Sequence, residues 1–371
     1  MITTGFGNYA KLIAFFLVAV LLIVGFGFAS EGWWQEATSP TDKNGTGNTS
    51  GNKNDPFINT SQQPDPEIPE IKEPDFINFI TGNETSEQSS RKRHFAFVLD
   101  PTSPVFGIAG SDLIAEFPTE SGDTRILAFN NDLSGLSKIG SLAKTRAYIS
   151  NVARFFSSII VSSGNDGTVK YDSCSTNGAM FDMSAHSGYY YTEYSQFTYT
   201  NGDLLSAGIY NANINTTAET EAKRPYDFVK YGSSLPKSGG TAKSVIIPFS
   251  QKSETELYYS AENGLYSFNK NGTQKNDMLN EKRVSFKNVF VLFADTVTYE
   301  AAGGTELFMN TVGEGSGYYI TDGVLRNISW KSDASGELTF FDSNGERLVI
   351  NRGNSYIGFT KSSKSGDVKI S

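Results

Sequence analysis

The segment SDLIAEFPTESGDTRILAFN, residues 111–130, contains the pattern that decides the fold of this chain. Two short apolar runs, 111–118 and 124–130, stand on either side of a polar segment. Runs of this length that are rich in branched and aromatic residues are typical of strands buried in a sheet. We therefore predict two short buried strands here.

The residues on either side of this segment predict further elements. HFAFVLD (94–100) has the composition of another buried strand, and SIIVSSG (158–164) that of a strand ending at a glycine. Between them, residues 144–157 place four large apolar residues at helical spacing, which predicts an amphipathic helix. The order strand, helix, strand predicts that residues 94–235 form a domain of α/β type.

From about Lys243 onwards the chain is a succession of short apolar runs separated by turn sequences. Four of these turns contain Asn-Gly or Asp-Gly, the dipeptides that type I′ hairpins favour. They occupy residues 263–264, 271–272, 322–323 and 344–345. We predict that residues 236–371 form a mainly antiparallel β domain, so the folded part as a whole belongs to the α+β class.

The N-terminal region contains one candidate membrane segment. Residues 12–29 (LIAFFLVAVLLIVGFGFA) carry no charge, and as a helix of 18 residues they would extend about 27 Å, close to the thickness of the hydrocarbon layer. Lys11 precedes the segment and Glu31 follows it, so the positive-inside rule predicts that residues 1–11 are cytoplasmic and that the rest is outside the membrane. The alternative is a cleaved signal peptide, but the length of the apolar run favours an uncleaved anchor.

Residues 30–93 are predicted to form a disordered acidic linker. Between Glu31 and Ser90 there are 11 acidic residues against three lysines, and large apolar residues are few. Such a composition cannot bury enough surface to offset the entropy lost on ordering. Most of the net charge of −9 lies here, so the remaining chain is nearly neutral. No basic face is evident, which disfavours nucleic acid as a partner.

The residues that usually hold metals and cofactors are scarce. Cys174 is the only cysteine, and His94 and His186 are the only histidines, so a zinc site would need carboxylates almost alone. GIAG (107–110) lacks the third glycine of a dinucleotide-binding fingerprint. A Ser-His-Asp triad would need one of the two histidines, and neither has a recognisable context. We predict no metal and no cofactor.

Three blocks of sequence resemble a known family. GIAGSDLIAEFPTESGDTRILAFN (107–130) is similar to the pattern G-L-x-K-A-D-x-V-Y-E-x-x-V-E-G-G-x-T-R-F, and KIGSLAKTRAY (138–148) to I-G-P-V-R-S-A-R-P-Y. Residues 315–359 resemble a closing segment of G-x-W-x-K, an acidic-Gly turn and N-x-G-x-x-W-I. These patterns are those of the YerB-like family of bacterial surface proteins, which are usually lipid-anchored and contain an N-terminal and a C-terminal domain of unknown function 3048. The resemblance covers residues 94–371 and implies a Gram-positive-type bacterium and an extracytoplasmic location.

The match to the family is incomplete, which implies a divergent member. The first arginine of V-R-S-A-R is Ala143 here, and the family's H-A-G-G and P-H-N-L-Y-T have become residues 162–165 and 195–200, without histidine. The usual anchor cysteine is replaced by the apolar segment. An activity that depended on those histidines in relatives would be lost or altered in this chain. The positions that do match the family's polar signature are Asp112, Glu116, Glu120, Thr124, Arg125, Gly140, Arg146 and Tyr148.

From these matching positions we predict one polar cluster as a ligand site. Glu116 and Glu120 are its weak catalytic candidates, because paired carboxylates can divide acid and base roles when their environments separate their pKa values. The same residues can form a salt-bridge network that only stabilises the fold, and such networks also perturb pKa values. Both interpretations stay open, with the structural network favoured. The predicted ligand-binding residues are Asp112, Glu116, Glu120, Arg125, Arg146 and Tyr148.

The run GYYYTEYSQFTY (188–199) is a second candidate surface. Aromatic faces stack on sugars or pack against partner proteins, but they also dominate protein cores, and core packing is the favoured interpretation.

Together these features predict a membrane-anchored extracytoplasmic protein of the cell envelope. Its leading function is binding of a wall polymer or a partner membrane protein without catalysis. The first alternative is an enzyme that acts on a wall glycan or peptide through Glu116, Glu120 and Arg146. The second alternative is a structural spacer.

Overall fold

The computed structural model describes residues 71–165, 169, 180–219, 222–301 and 304–371. The predicted membrane segment at 12–29 and most of the predicted linker lie outside these residues. Within the described ranges, no helix combines the length and the apolar character needed to cross a membrane.

The described residues are mostly β, with few helices. The α-helices are α1 (Glu87–Ser90), α2 (Ala147–Phe155) and α3 (Gly202–Asn211). Two short 3₁₀ segments occupy Met183–Ala185 and Ser362–Asp367. The strands are β1 (Phe95–Leu99), β2 (Leu113–Pro118), β3 (Thr124–Asn130), β4 (Ile139–Leu142), β5 (Ile159–Ser162), β6 (Met180–Asp182), β7 (Tyr191–Glu193), β8 (Phe197–Thr200), β9 (Asp227–Phe228), β10 (Gly240–Thr241), β11 (Ser244–Pro248), β12 (Glu254–Ser260), β13 (Leu265–Lys270), β14 (Thr273–Gln274), β15 (Ser285–Phe286), β16 (Asn288–Ala294), β17 (Thr296–Ala301), β18 (Gly304–Met309), β19 (Glu314–Thr321), β20 (Val324–Ser332), β21 (Leu338–Phe341), β22 (Val349–Ile350), β23 (Ser355–Lys361) and β24 (Lys369–Ile370).

The strand and helix predictions near the start of the folded part are confirmed. β1, β2, β3, α2 and β5 each lie within the predicted segment. β1 pairs antiparallel with β3 and parallel with β5, so the predicted order of strand, helix and strand belongs to a mixed sheet. The α/β character of this part therefore reduces to α2 packed on a sheet that is largely antiparallel.

The late strand β23 joins the two halves of the chain. It lies between β2 and β16 and is parallel to both, with Ser355 opposite Leu113 on one side and opposite Asn288 on the other. One large sheet therefore contains strands from both of the segments predicted as separate domains, and the described chain forms one compact unit.

Both faces of the large sheet are covered. On β2, Leu113, Ala115 and Phe117 contribute to one core, and Ile114 contributes to the other. α2 packs in the first core, and a smaller antiparallel sheet of β11–β15 and β24 packs in the second. A strand that is buried on both faces has no polar side, which is why the central strands appear as continuous apolar runs rather than alternating patterns.

Two of the predicted hairpin turns have the expected two-residue form. Asn271-Gly272 connects Lys270 to Thr273, and Asp322-Gly323 connects Thr321 to Val324. All four turn residues have positive φ, between 51° and 77°, as type I′ turns require. The dipeptides at 263–264 and 344–345 lie in longer connections.

The structure corrects the predicted C-terminal end of the linker. Residues 71–93 are folded onto the compact unit: Ile80 is fully buried, and its carbonyl oxygen accepts a hydrogen bond of 2.9 Å from the Tyr226 hydroxyl. Arg93 is also buried, and its guanidinium donates to the carbonyl oxygens of Ser157 and Ser158. The composition of the whole segment is acidic, so it did not indicate that the short stretch near its C-terminal end is folded.

Candidate functional site

The three predicted carboxylates lie at three different positions along strand β2 and at its two ends. Asp112 precedes the strand, Glu116 lies within it and Glu120 follows it. Six residues of extended chain span about 20 Å, so side chains at the two ends of β2 cannot meet in one site. The structure therefore separates the predicted cluster, and each part has its own partners.

Glu116 is fully buried between the two sheets. Its Oε1 atom accepts hydrogen bonds of 2.6 Å from Lys270 Nζ and from the Thr124 hydroxyl. Its Oε2 atom accepts hydrogen bonds of 2.7 Å from the Thr255 and Tyr356 hydroxyls. Burial by itself would raise the pKa of Glu116, but the charge of Lys270 and these hydrogen bonds outweigh it and hold the pKa below its ordinary value. Four donors from both sheets thus occupy the carboxylate, which is the pattern of a structural ion pair.

Glu120 forms a bidentate ion pair with Arg146, the residue that precedes α2. Arg146 Nε donates to Glu120 Oε2 over 3.0 Å, and Arg146 Nη2 donates to Oε1. Partial burial would raise the pKa of Glu120, but the hydrogen bonds and charge of Arg146 outweigh it and lower the pKa. This pair fastens the turn after β2 to the start of α2.

The remaining two predicted residues on this side also have protein partners. Arg125 lies 3.5 Å from a carboxylate oxygen of Asp100, and Tyr148 donates a hydrogen bond of 3.0 Å to the carbonyl oxygen of Pro118. These contacts, together with the two ion pairs above, connect the ends of β2 and β3 to neighbouring parts of the fold.

Asp112 differs from the other two carboxylates because it faces open space. Its Oδ2 atom lies 2.9 Å from Nε2 of His94, which is 1% exposed, and accepts a hydrogen bond of 2.9 Å from Asn78 Nδ2. An ionised carboxylate can only accept here, so the imidazole donates its Nε2 proton. The Asp112 side chain is 21% exposed and lines a cleft.

This cavity, the Asp112 cleft, has a volume of about 470 Å³. One wall is the loop GIAG (107–110), which Asp277 holds in place by accepting hydrogen bonds of 2.8 Å from the amides of Gly107 and Ala109. The opposite wall follows the end of β3, where polar residues succeed one another. The polar side chains that line the cleft include Asn78, Asp112, Asn130, Asn131, Asp132 and Asn280.

Two further clefts adjoin the Asp112 cleft. One, of about 490 Å³, shares Asn131, Asp132 and Ser134 with it and extends along α3 to Tyr210. The other, of about 360 Å³, shares Gly110 and Asp112 with it and extends to Lys287 and Arg352. We infer that the three clefts form one continuous groove, because neighbouring clefts share lining residues. We refer to this surface as the polar groove.

Sequence reasoning placed only Asp112 in this region and missed the other polar residues of the groove. Asn78 lies within the segment that is predicted as linker, and His94 has no recognisable context in the sequence. The run Asn130-Asn131-Asp132, directly after a buried strand, is the one local signal that could have indicated a polar rim. Asn280 comes from a loop 150 residues further along the chain, and only the folded structure brings it to this run.

The aromatic run at 188–199 is divided between the core and the surface. Tyr199 is buried, and Tyr189 and Tyr190 pack against the core. Tyr194 is exposed at the turn between β7 and β8. Only part of the run therefore packs in the core, and the remainder is half-buried or exposed.

Comparisons with known proteins agree with this fold. Residues 245–357 match the sequence profile of a family described as "Protein of unknown function (DUF3048) C-terminal domain". The crystal structure of YerB from Bacillus subtilis is similar with a TM-score of 0.68 and 18% sequence identity, over 80% of this chain and 99% of that chain. No curated protein matches the chain in sequence. The resemblance predicted from the sequence motifs is therefore confirmed: residues 245–357 match the DUF3048 C-terminal domain, and the fold is similar to that of YerB.

Proposed function

We propose that this chain is a membrane-anchored protein of the cell envelope of a Gram-positive-type bacterium, and that its polar groove binds a linear wall polymer without cleaving it. The apolar segment 12–29 would anchor it, with residues 1–11 in the cytoplasm and the folded part outside. The observation that carries the proposal is that three neighbouring clefts share lining residues.

The chemistry of the Asp112 cleft favours a hydroxyl-rich chain over an apolar ligand. The Asp112 cleft offers amide, carboxylate and hydroxyl groups, and side-chain amides can both donate to and accept from sugar hydroxyls. At one end, Tyr210 on α3 is 84% exposed and presents an aromatic ring that can pack on the face of a sugar. Three adjoining clefts suit successive units of a polymer better than one small molecule.

The contacts of Glu116 and Glu120 favour binding over the enzymatic alternative. A general acid or base must come within hydrogen-bonding distance of the substrate. Glu116 is fully buried and its carboxylate accepts hydrogen bonds from four donors. Glu120 accepts hydrogen bonds from Nε and Nη2 of Arg146. The spacer alternative predicts that the groove has no saturable ligand, which an experiment can decide.

The test is co-sedimentation of the full-length chain, kept in detergent, with purified cell-wall sacculi. Ser206 and Ala207 are neighbours on the exposed side of α3, but only Ser206 lines the groove. We expect saturable binding that Ser206→Trp weakens by about tenfold or more, which corresponds to about 1.4 kcal/mol, while Ala207→Trp leaves it unchanged.

Three outcomes would contradict the proposal. Absence of binding by folded wild-type protein would favour a protein partner, to be sought by cross-linking in intact membranes, or the spacer. Equal losses in the two tryptophan variants would place binding elsewhere on the surface. Soluble fragments released from the sacculi would show that the chain is an enzyme.

A further inference from the structure

The centre of the polar groove carries negative charge, and no lysine or arginine is among the described residues that line it. We propose that it binds the protonated primary amine of an amino sugar within the polymer. This inference rests on the proposed function and specifies the chemical class of ligand that the groove takes.

The negative charge of the Asp112 cleft comes from three carboxylates. Asp112, Asp132 and Asp277 line the Asp112 cleft, and no lysine or arginine is among the described residues that line it. Lys92 lines the adjoining cleft along α3. Asp132 lies on an exposed loop, and hydrogen bonds from Ser134 lower the pKa of its carboxyl group, so it is ionised at neutral pH.

Unpaired acceptors in the same cleft provide independent support. Asn130 is 5% exposed, and its Nδ2 atom donates to the carbonyl oxygen of Gly107 over 3.4 Å. Its Oδ1 atom is buried and has no hydrogen-bond partner in the part of the chain that the structure describes. Among the described residues, Asn78 and His94 both contact Asp112 through Oδ2, and no hydrogen bond there involves Oδ1. A buried carbonyl oxygen without a donor is unfavourable, so a ligand that supplies donors is favoured here.

A protonated amine matches these carboxylates and acceptor oxygens better than a sugar hydroxyl or a metal ion does. An ammonium group offers three donors, no acceptor and a positive charge, whereas a sugar hydroxyl offers one donor and no charge. A metal ion is disfavoured, because the described residues contain no group of three or more His, Cys, Asp or Glu side chains placed to hold one. The exposed ring of Tyr210 further along the groove favours a sugar as the carrier of the amine.

The experiment compares two probes that carry either a protonated amine or a neutral acetamide at this position. Full-length protein in detergent is titrated calorimetrically with a β-1,4-linked glucosamine tetramer and with the N-acetylglucosamine tetramer, at a pH below the pKa of the sugar amine. We expect the amine to be preferred by about tenfold, and added salt to reduce the preference because it screens the carboxylates.

Three variants test the assignment to these residues. Asp132→Asn and Asp112→Asn should abolish the preference for the amine. Asp132 is the safer test, because its exposed loop tolerates the change while Asp112 also supports His94. Asp367→Asn removes the same charge from a surface pair with Lys364 and should leave the preference intact.

The possible failures are distinguishable. Equal affinity for the two tetramers, or binding of neither by protein that still binds sacculi, would overturn the amine site and leave the proposed function standing. A preference that survives in both Asp132→Asn and Asp112→Asn would also overturn the amine site. Failure of the folded wild-type protein to bind sacculi as well would overturn the proposed function itself.

Discussion

Replacing Lys270 with methionine would leave the carboxylate of Glu116 charged in the core without its counter-ion. The Lys270 side chain is 4% exposed and Glu116 is fully buried, so water cannot replace the lost contact of 2.6 Å. Removing one partner of a buried ion pair costs about 3–5 kcal/mol of stability, because an uncompensated charge remains in a medium of low dielectric constant. That loss is a large part of the 5–15 kcal/mol by which folded proteins are ordinarily stable.

The free energy of unfolding is to be measured by urea titration of the full-length chain in detergent, followed by near-UV circular dichroism. Lys364→Met is the matched control, because the pair of Lys364 and Asp367 is about half exposed and should contribute less than about 1 kcal/mol. The double variant Glu116→Gln/Lys270→Met should recover part of the loss, since it removes both charges. A loss below about 1 kcal/mol in Lys270→Met would refute the assignment of this pair as a buried structural link between the sheets.

Three further predictions concern pH, backbone conformation and the folded segment 71–93. Because the pKa of Glu116 is lowered in the folded state, the ionised carboxylate stabilises the fold at neutral pH, and this contribution is lost as the pH falls through that pKa. The urea midpoints of wild type and Glu116→Gln should therefore differ less at pH about 4 than at pH about 7. Gly323→Ala should destabilise the protein by about 1 kcal/mol or more, and by more than Gly272→Ala does, as measured by thermal unfolding. Both glycines have positive φ, but only at Gly323 would a methyl group come close to a ring, that of Tyr259. Tyr226→Phe removes the buried hydrogen bond to the carbonyl of Ile80, which should cost about 1–3 kcal/mol and speed limited proteolysis within residues 71–93, whereas unchanged cleavage would show that this bond does not hold the segment.

The elements that could be predicted from sequence are those encoded by neighbouring residues. The apolar run at 94–100 and the helical spacing at 144–157 identified β1 and α2 without reference to the rest of the chain. Asp322-Gly323 and Asn271-Gly272 identified their turns, because positive φ at two successive residues is a local requirement. The family resemblance also rested on contiguous motifs, and it indicated which polar residues matter without indicating whether any of them is accessible.

Pairing and accessibility depended on the tertiary structure. The position of β23 between β2 and β16 is decided by hydrogen bonds between residues far apart in sequence, so no local pattern contains it. Asp112, Glu116 and Glu120 occupy similar places in the sequence motif, yet packing against the second sheet buries Glu116 and leaves Asp112 facing a cleft.

Sequence by itself determined the first strands and the helix α2, the local turns, the family resemblance and the candidate membrane segment, because each depends on composition or on residues close together in the chain. Tertiary structure alone decided that residues 71–93 are folded, that the predicted polar cluster is three separate sites, and that the polar groove exists. The physical reason is that burial and proximity arise from contacts between distant segments, and side-chain identity does not specify which segments meet.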